Sequence, residues 1–309
     1  MSKTNLNAEE FRVVSYKKSK IKRTVVVDTL IATINEPLSS VTFNLENYLR
    51  RIEAAKQELI PSDLYSSVLA SLRESFQIIN IIKIKEIVCF GLGRIGECMI
   101  ARYQLALLLL IKDLYNAKVV AYDPIFTDND SEILKSLGIS VLHGNIEGKY
   151  KLSEKSATLF YLPHCPKQLT NNLLWANWGM VLNYCVIISN SFTNVIESNS
   201  KRHIEKNADY ILNISPFVTE LPIINSFKYY DIFNDLAIHI FALENLSLIS
   251  QDLWQYHIEP VYTDEDLEFV KNKIYEDYLI DIFERCMLIA LKPSDKSFTN
   301  YGALFRKET

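Results

Sequence analysis

A chain of 309 residues exceeds the ~100–200 residues of one ordinary domain, so a main domain with additions is expected. Hydrophobic residues make up 49% of it and charged residues 23%, enough apolar surface for a sizeable core, which excludes wholesale disorder. A net charge of -4 provides no global basic field, so neither direct nucleic-acid binding nor adsorption to an anionic membrane is expected.

Taken in chain order, residues 17–23 (KKSKIKR) place five cations in seven positions, a solvated basic tail or a nuclear-import patch. A short β-branched run, Val25 to Val27, follows. Apolar residues then recur at helical spacing from Asn44 to Ile60 and from Ser62 to about Ile82, with Pro61-Ser62-Asp63 as break and cap between them. This predicts a helical hairpin, both helices covering one face of the sheet that follows.

From Ile87 on, β-rich and helical runs alternate. Strands are expected in IVCFGLG (87–93), KVVAYDP (118–124), ISVLHG (139–144), TLFYLP (158–163), YCVIISNSF (184–192) and, more weakly, YILNIS (210–215). Helices are expected from about Ile95 to Tyr115, from about Asp130 to Leu137, and through NNLLWANW (171–178). The longest apolar run, Leu105 to Ile111, is far short of the ~20 residues that cross a bilayer and reads as a buried helix segment. Continuous apolar strands alternating with helices predict an α/β, Rossmann-like, doubly wound and mostly parallel sheet with helical additions at both ends. The expected division is a basic tail and hairpin (1–83), a core domain (84–246) and a carboxyl-terminal helical extension (247–309). In the last, Thr263 to Asp266 matches a capping box, and apolar positions 267, 270, 274, 278, 282 and 283 predict an amphipathic helix ending before Pro293.

Gly91, Gly93 and Gly96 form G-x-G-x-x-G after an apolar strand and at the start of a helix, the setting in which glycines let a backbone approach a phosphate. Asp123 ends the second strand, where an acid accepts ribose hydroxyls, but it lies 27 residues beyond Gly96, which makes the intervening helix long for a dinucleotide site. Nucleotide or adenosyl binding therefore stands beside a purely structural turn. Arg102 is placed to reach a phosphate or Asp123, or to pair with a carboxylate of the added helices. His164 and Cys165 follow the fourth strand at the ligand-binding edge, and adjacency in an extended segment points them apart, so the two do not form a catalytic pair. His164 is the candidate general base, with a hydrogen-bonded loop histidine as the alternative. No second Cys or His stands at zinc spacing, so no metal site is assigned. Cys165-Pro166 is a weak signal for a haem thiolate, since one such dipeptide is common by chance. Ser189, Asn190 and Ser191 close the fifth strand and are assigned to the crevice, while Trp175 and Trp178 share a helix face and read as core packing. The five cysteines, Cys89, Cys98, Cys165, Cys185 and Cys286, lack paired spacing and the first ten residues carry no apolar signal core, so a reducing compartment is expected.

CFGLG, ARYQLALLL, YDPIF, LFYLPHC, NNLLWANW and ISNSF, in that order, together with FNDLAIHIF at 233–241, resemble the Sensitivity to Red light Reduced family over roughly residues 84 to 245. The resemblance implies a regulatory protein of cytoplasm and nucleus: plant and animal members are associated with circadian control, fungal members with microtubule-related processes, and a link to haem metabolism has been proposed among animal relatives. It implies no agreed catalytic activity. The family's motif positions fall here on Gly91, Gly93, Arg102, Tyr103, Gln104, Asp123, Pro163, His164, Cys165, Trp175, Asn190 and Ser191, whereas Gly96 departs from the pattern. Two readings follow: a regulatory protein whose core binds a small ligand or a protein partner, and an S-adenosylmethionine- or NAD(P)-dependent enzyme using the crevice at Gly91, Asp123 and His164.

Overall fold

The computed structural model describes residues 43–81, 83–153 and 156–271. The basic run at 17–23, Val25 to Val27, and the predicted carboxyl-terminal helix beyond residue 271 lie outside them. Helix α1 (Leu45–Leu59) is capped by Asn44 and α2 (Asp63–Ile78) by Ser62, whose side chains accept the Asn47 and Tyr65 amides. Strand β1 (Ile84–Phe90) leads through a glycine turn into α3 (Met99–Tyr115). Then come β2 (Lys118–Tyr122), α4 (Asp128–Ser136), β3 (Ile139–Val141), β4 (Ala157–Leu162), α5 (Lys167–Ala176) and β5 (Cys185–Asn190). Three short helices follow, α6 (Phe192–Glu197), α7 (Lys201–Asn207) and α8 (Asp209–Ile214). The chain then forms β6 (Thr219–Pro222), β7 (Leu236–Ile240), α9 (Leu243–Leu246) and α10 (Gln251–Gln255).

The strands form one seven-stranded sheet in the order β3-β2-β1-β4-β5-β7-β6. β1 to β5 are mutually parallel, while β7 runs antiparallel to both β5 and β6. The expected α/β, mostly parallel sheet is thus the observed one. β4 is buried along its whole length, as a strand covered by helices on both faces must be. Leu105 to Ile111 are likewise buried in α3, and no described helix is long and apolar enough to cross a membrane.

Several boundaries and one element differ from the sequence expectation. Residues 210–215 are helix, because Asn171 Oδ1 accepts the amides of Tyr210 and Ile211, pinning the first turn of α8 while Tyr210, Ile211 and Ile214 are buried. A short apolar run does not by itself distinguish these outcomes. α3 begins at Met99 rather than near Ile95, since Cys98 is extended and residues 95–97 form a turn. Within the hairpin, α1 packs chiefly on α3 and α4, while α2 reaches β6 and β7. Around Thr263 the capping pattern closes a turn, Thr263 Oγ1 donating to Asp266 Oδ2 at 2.8 Å, but no helix follows through residue 271. Instead residues 256–271 run as an irregular strap.

Candidate functional site

A crevice opens outside the carboxyl ends of β1, β2 and β4, where the chain, having stepped outward from β1 to β2 and β3, recrosses to β4. Open α/β sheets bind ligands at this switch point. The cavity measures about 270 Å³, close to the ~300 Å³ at the small end of ligand pockets. Phe90 and Gly91 enter it from β1, Tyr122 and Asp123 from β2, and His164 and Cys165 from the turn after β4. Asn145 and Gly148 from the segment before β4, Leu169 of α5, and Glu268, Phe269 and Val270 of the strap also line it.

The glycine turn is built differently from a phosphate cradle. Gly91 has φ of +74°, and a Cβ there would lie 2.4 Å from Cys165 Sγ, so this glycine serves both conformation and close approach. Gly93, at φ +73° in open space, is required by conformation alone. All three glycine amides are engaged within the chain. Gly91 N–H donates to the Tyr122 carbonyl at 3.2 Å, Gly93 N–H to Asp123 Oδ2 at 2.7 Å and Gly96 N–H to Asp130 Oδ1 at 3.0 Å. Asp123 Oδ1 also accepts from Ile125 N–H at 3.0 Å, and Asp130 Oδ2 from the amide and hydroxyl of Thr127, the cap of α4. A phosphate at this turn would have to replace charge-assisted bonds worth about 1.5–3 kcal/mol each. Asp123, by contrast, keeps acceptor capacity, since a carboxylate offers about four lone-pair sites and two are used.

His164 sits at φ +55°, on the surface side of the cavity. Its Nε2 lies 3.1 Å from the Asn234 carbonyl, which can only accept, so Nε2 carries the proton and Nδ1 is an acceptor. Desolvation lowers its pKa against the opposing pull of that carbonyl and of the Asp235 charge. Cys165 is buried, and its thiol donates to the Phe90 carbonyl at 3.2 Å. Burial, then the charge of Asp123, pushes that thiol well above its usual range. The pair therefore offers a neutral base at one position and an inert thiol at the other.

The strap is held by buried amides of α5. Gln168, fully buried, donates to the Asp266 carbonyl at 2.8 Å and accepts the Glu268 amide at 2.9 Å. Tyr262 donates to Asn172 Oδ1 at 2.8 Å and accepts from Asn171 Nδ2 at 3.2 Å. Lys167 pairs with Glu268, and Lys206 with Asp266 at 2.5 Å. Trp175 stacks on His257 of the same strap, and Trp178 meets Tyr210 and Trp254 edge-on, so both tryptophans pack rather than face the crevice.

Gly91, Asp123 and His164 are thus brought together, and the other expected site residues lie elsewhere. Gly93 reaches the site only through the Asp123 carboxylate that binds its amide, and Gly96, held by Asp130, does not line the cavity. Arg102 faces Arg51 of α1 beside Tyr103; burial and then the Arg51 charge lower its pKa, and its buried Nε has no partner among the described residues. Asn190 turns its Nδ2 to the Cys165 carbonyl at 3.4 Å, supporting the turn from behind. Ser191 caps α6 and donates to Glu220 Oε1 at 2.5 Å, away from the cavity. There Glu220 also accepts the amides of Phe192 and Thr193 and faces Nε2 of the fully buried His239 at 3.1 Å.

Sequence reasoning missed Asp130, Gln168 and the strap residues Glu268 and Phe269. For Asp130 a signal existed in the capping box at Thr127. Among the described residues no cluster of three His, Cys, Asp or Glu stands where a metal ion could be held.

Among proteins of known sequence, an SRR1-like protein of Drosophila melanogaster is 27% identical over 263 residues, spanning 84% of this chain and 92% of its own. An SRR1-like protein of Mus musculus is 40% identical over 132 residues, 41% of this chain and 53% of that one. The protein SENSITIVITY TO RED LIGHT REDUCED 1 of Arabidopsis thaliana is 30% identical over 154 residues, 46% and 55% of the two chains. The match spans about half the length of these last two relatives. Among solved structures, an S-adenosylmethionine-dependent methyltransferase from Clostridium acetobutylicum aligns at a TM-score of 0.33 and 11% identity, over 64% of this chain and 99% of that one. The SRR1 domain matches residues 72–240, more than half of the chain and all seven strands of the sheet, and the chain therefore belongs to the SRR1 family.

Proposed function

We propose that this chain is a regulatory protein of cytoplasm and nucleus whose core binds a small ligand, or through it a protein partner, without a defined turnover. Membership of a family that includes a protein named for red-light sensitivity supports the regulatory role. Circadian control and microtubule-related processes are the settings the family resemblance suggests, and the run KKSKIKR supports a nuclear share. The observation that carries the binding role is the preformed hollow at the switch point, whose reactive groups are engaged in holding it open: the Cys165 thiol on Phe90, the Asp123 carboxylate on Gly93 and Ile125. The same thiol geometry argues against Cys165 as a haem ligand, because only a thiolate would serve.

An enzyme using an adenosyl or nicotinamide cofactor is the second reading, and it is kept by His164, whose neutral Nδ1 suits a general base at pH 7. The test is a thermal-shift and calorimetric panel of S-adenosylmethionine, NAD, NADP, ATP and haem on the wild type, Asp123→Ala and His164→Ala. A ligand at 100 times its Kd adds about 2.7 kcal/mol of apparent stability. Stabilisation by one ligand that is lost in Asp123→Ala and is not followed by consumption of the ligand supports a binding protein. Consumption that stops in His164→Ala supports the enzyme, and no shift with any of them refutes a working small-ligand crevice.

A further inference from the structure

We infer that the crevice selects a nucleoside whose 5′ substituent carries no phosphate; this rests on the reading of the crevice as a ligand site and names its ligand class. In a dinucleotide site the glycine turn exists to present free amides to a pyrophosphate. Here the turn has the glycines, but its amides are consumed. Gly93 N–H is held by Asp123 at 2.7 Å, Gly96 N–H by Asp130 at 3.0 Å and Gly91 N–H by the Tyr122 carbonyl. Two carboxylates thus occupy the amides a phosphate would use, and their negative charge opposes that of a phosphate.

The rest of the wall agrees. Its charged groups are Asp123 and Glu268, with no lysine or arginine among the described lining residues, and Glu268 is already matched by Lys167. Arg102, the cation that could have served a phosphate, faces α1 instead. The helix that would aim its positive end at an anion starts about four residues late, at Met99, after an extended Cys98.

What the crevice does offer suits a nucleoside. Asp123 stands at the carboxyl end of β2, the place from which an acid holds a ribose diol, and two backbone amides fix its carboxylate while leaving acceptor sites on both oxygens. The aromatic side chains of Tyr122 and Phe269 and the aliphatic Leu169 and Val270 supply apolar surface for a base. The residual negative charge of Asp123 accommodates a neutral or cationic 5′ group, such as a sulfonium or thioether.

The deciding experiment is calorimetric titration of the full chain with adenosine, S-adenosylmethionine and S-adenosylhomocysteine on one side, and ATP, NAD and inorganic pyrophosphate on the other. The same titrations are made on Asp123→Asn and on Asp123→Asn/Asp130→Asn, with folding checked by circular dichroism. The expected result is binding by at least one phosphate-free compound, weakened about tenfold or more in Asp123→Asn, and no binding of the phosphate compounds to the wild type. In the double variant, where two negative charges are gone, pyrophosphate or ATP binding should rise, and a fall would overturn the exclusion of phosphate by these two carboxylates. ATP, NAD or pyrophosphate binding to the wild type more tightly than the phosphate-free compounds overturns the class while leaving a ligand crevice in place. Absence of binding by all six overturns both the class and the small-ligand reading. Should both asparagine variants misfold, the ranking of the six compounds on the wild type decides alone.

Discussion

Replacing Glu220 with Gln is the sharpest test of how the β5-β7-β6 edge is held. Burial alone would raise this carboxyl, yet the bonds from His239 and Ser191, the attraction of His239 and the Thr193 amide together hold it at about 2, against 4.5 in an unfolded chain. Its side chain is 17% exposed, so solvent screening is limited. A difference of roughly 2.5 units at 1.36 kcal/mol each sets a ceiling of about 3 kcal/mol on the native-state stability involved, because the attraction of His239 acts only while that ring is protonated. The folded pKa is depressed, so this stability is fully present above pH ~4.5 and is lost as pH falls from there towards 2. Gln keeps the shape and one acceptor but removes the charge, so the variant should lose about 1–3 kcal/mol at pH 7 and progressively less in acid. Urea unfolding of both proteins at pH 7, 5, 4 and 3 measures the gap. A gap that stays the same from pH 7 to pH 3 would mean that packing, not the charge, is responsible, and a loss below about 1 kcal/mol at pH 7 would refute the network as a stabilising unit.

Gly91→Ala should destabilise by more than the ~1–2 kcal/mol of a left-handed alanine, because its Cβ also meets Cys165 Sγ at 2.4 Å. Cys165→Ala removes that atom, so a double-mutant cycle by thermal or urea unfolding should show a coupling of about 0.5–3 kcal/mol, and strict additivity would exclude the close approach. Gln168→Ala frees the Asp266 carbonyl and the Glu268 amide; hydrogen exchange across 262–268 should accelerate far more than in β4, and uniform acceleration would show that Gln168 supports the core rather than the strap. Among the described cysteines, Cys98 should react with a thiol reagent first under native conditions, since Cys89, Cys165 and Cys185 are buried and burial raises their pKa values. Mass spectrometry of the labelled protein reads the order, and early labelling at Cys165 would contradict the closed turn.

The α/β class and the strands of the parallel half were legible in the amino-acid order, because buried parallel strands must be continuously apolar and their crossovers helical, a pattern local enough to read residue by residue. That order also placed Gly91, Asp123 and His164 at one edge, since strand ends in such a sheet share that edge whatever the side chains do. The antiparallel pair was not predicted as strands: β6 is the short, partly polar TELP, and β7, though quoted within FNDLAIHIF, carries its only polar group, His239, inward against Glu220. Tertiary structure alone decided what the glycine turn can bind. Whether an amide is free depends on the carboxylates that reach it from 30 and 34 residues away, Asp123 for Gly93 and Asp130 for Gly96, and spacing along the chain does not encode that encounter. The strap over the crevice belongs to the same class of fact: Thr263 and Asp266 form the capping contact that their sequence promises, but the buried side chains of Gln168, Asn171 and Asn172 hold Tyr262, Asp266 and Glu268 in an irregular course through residue 271.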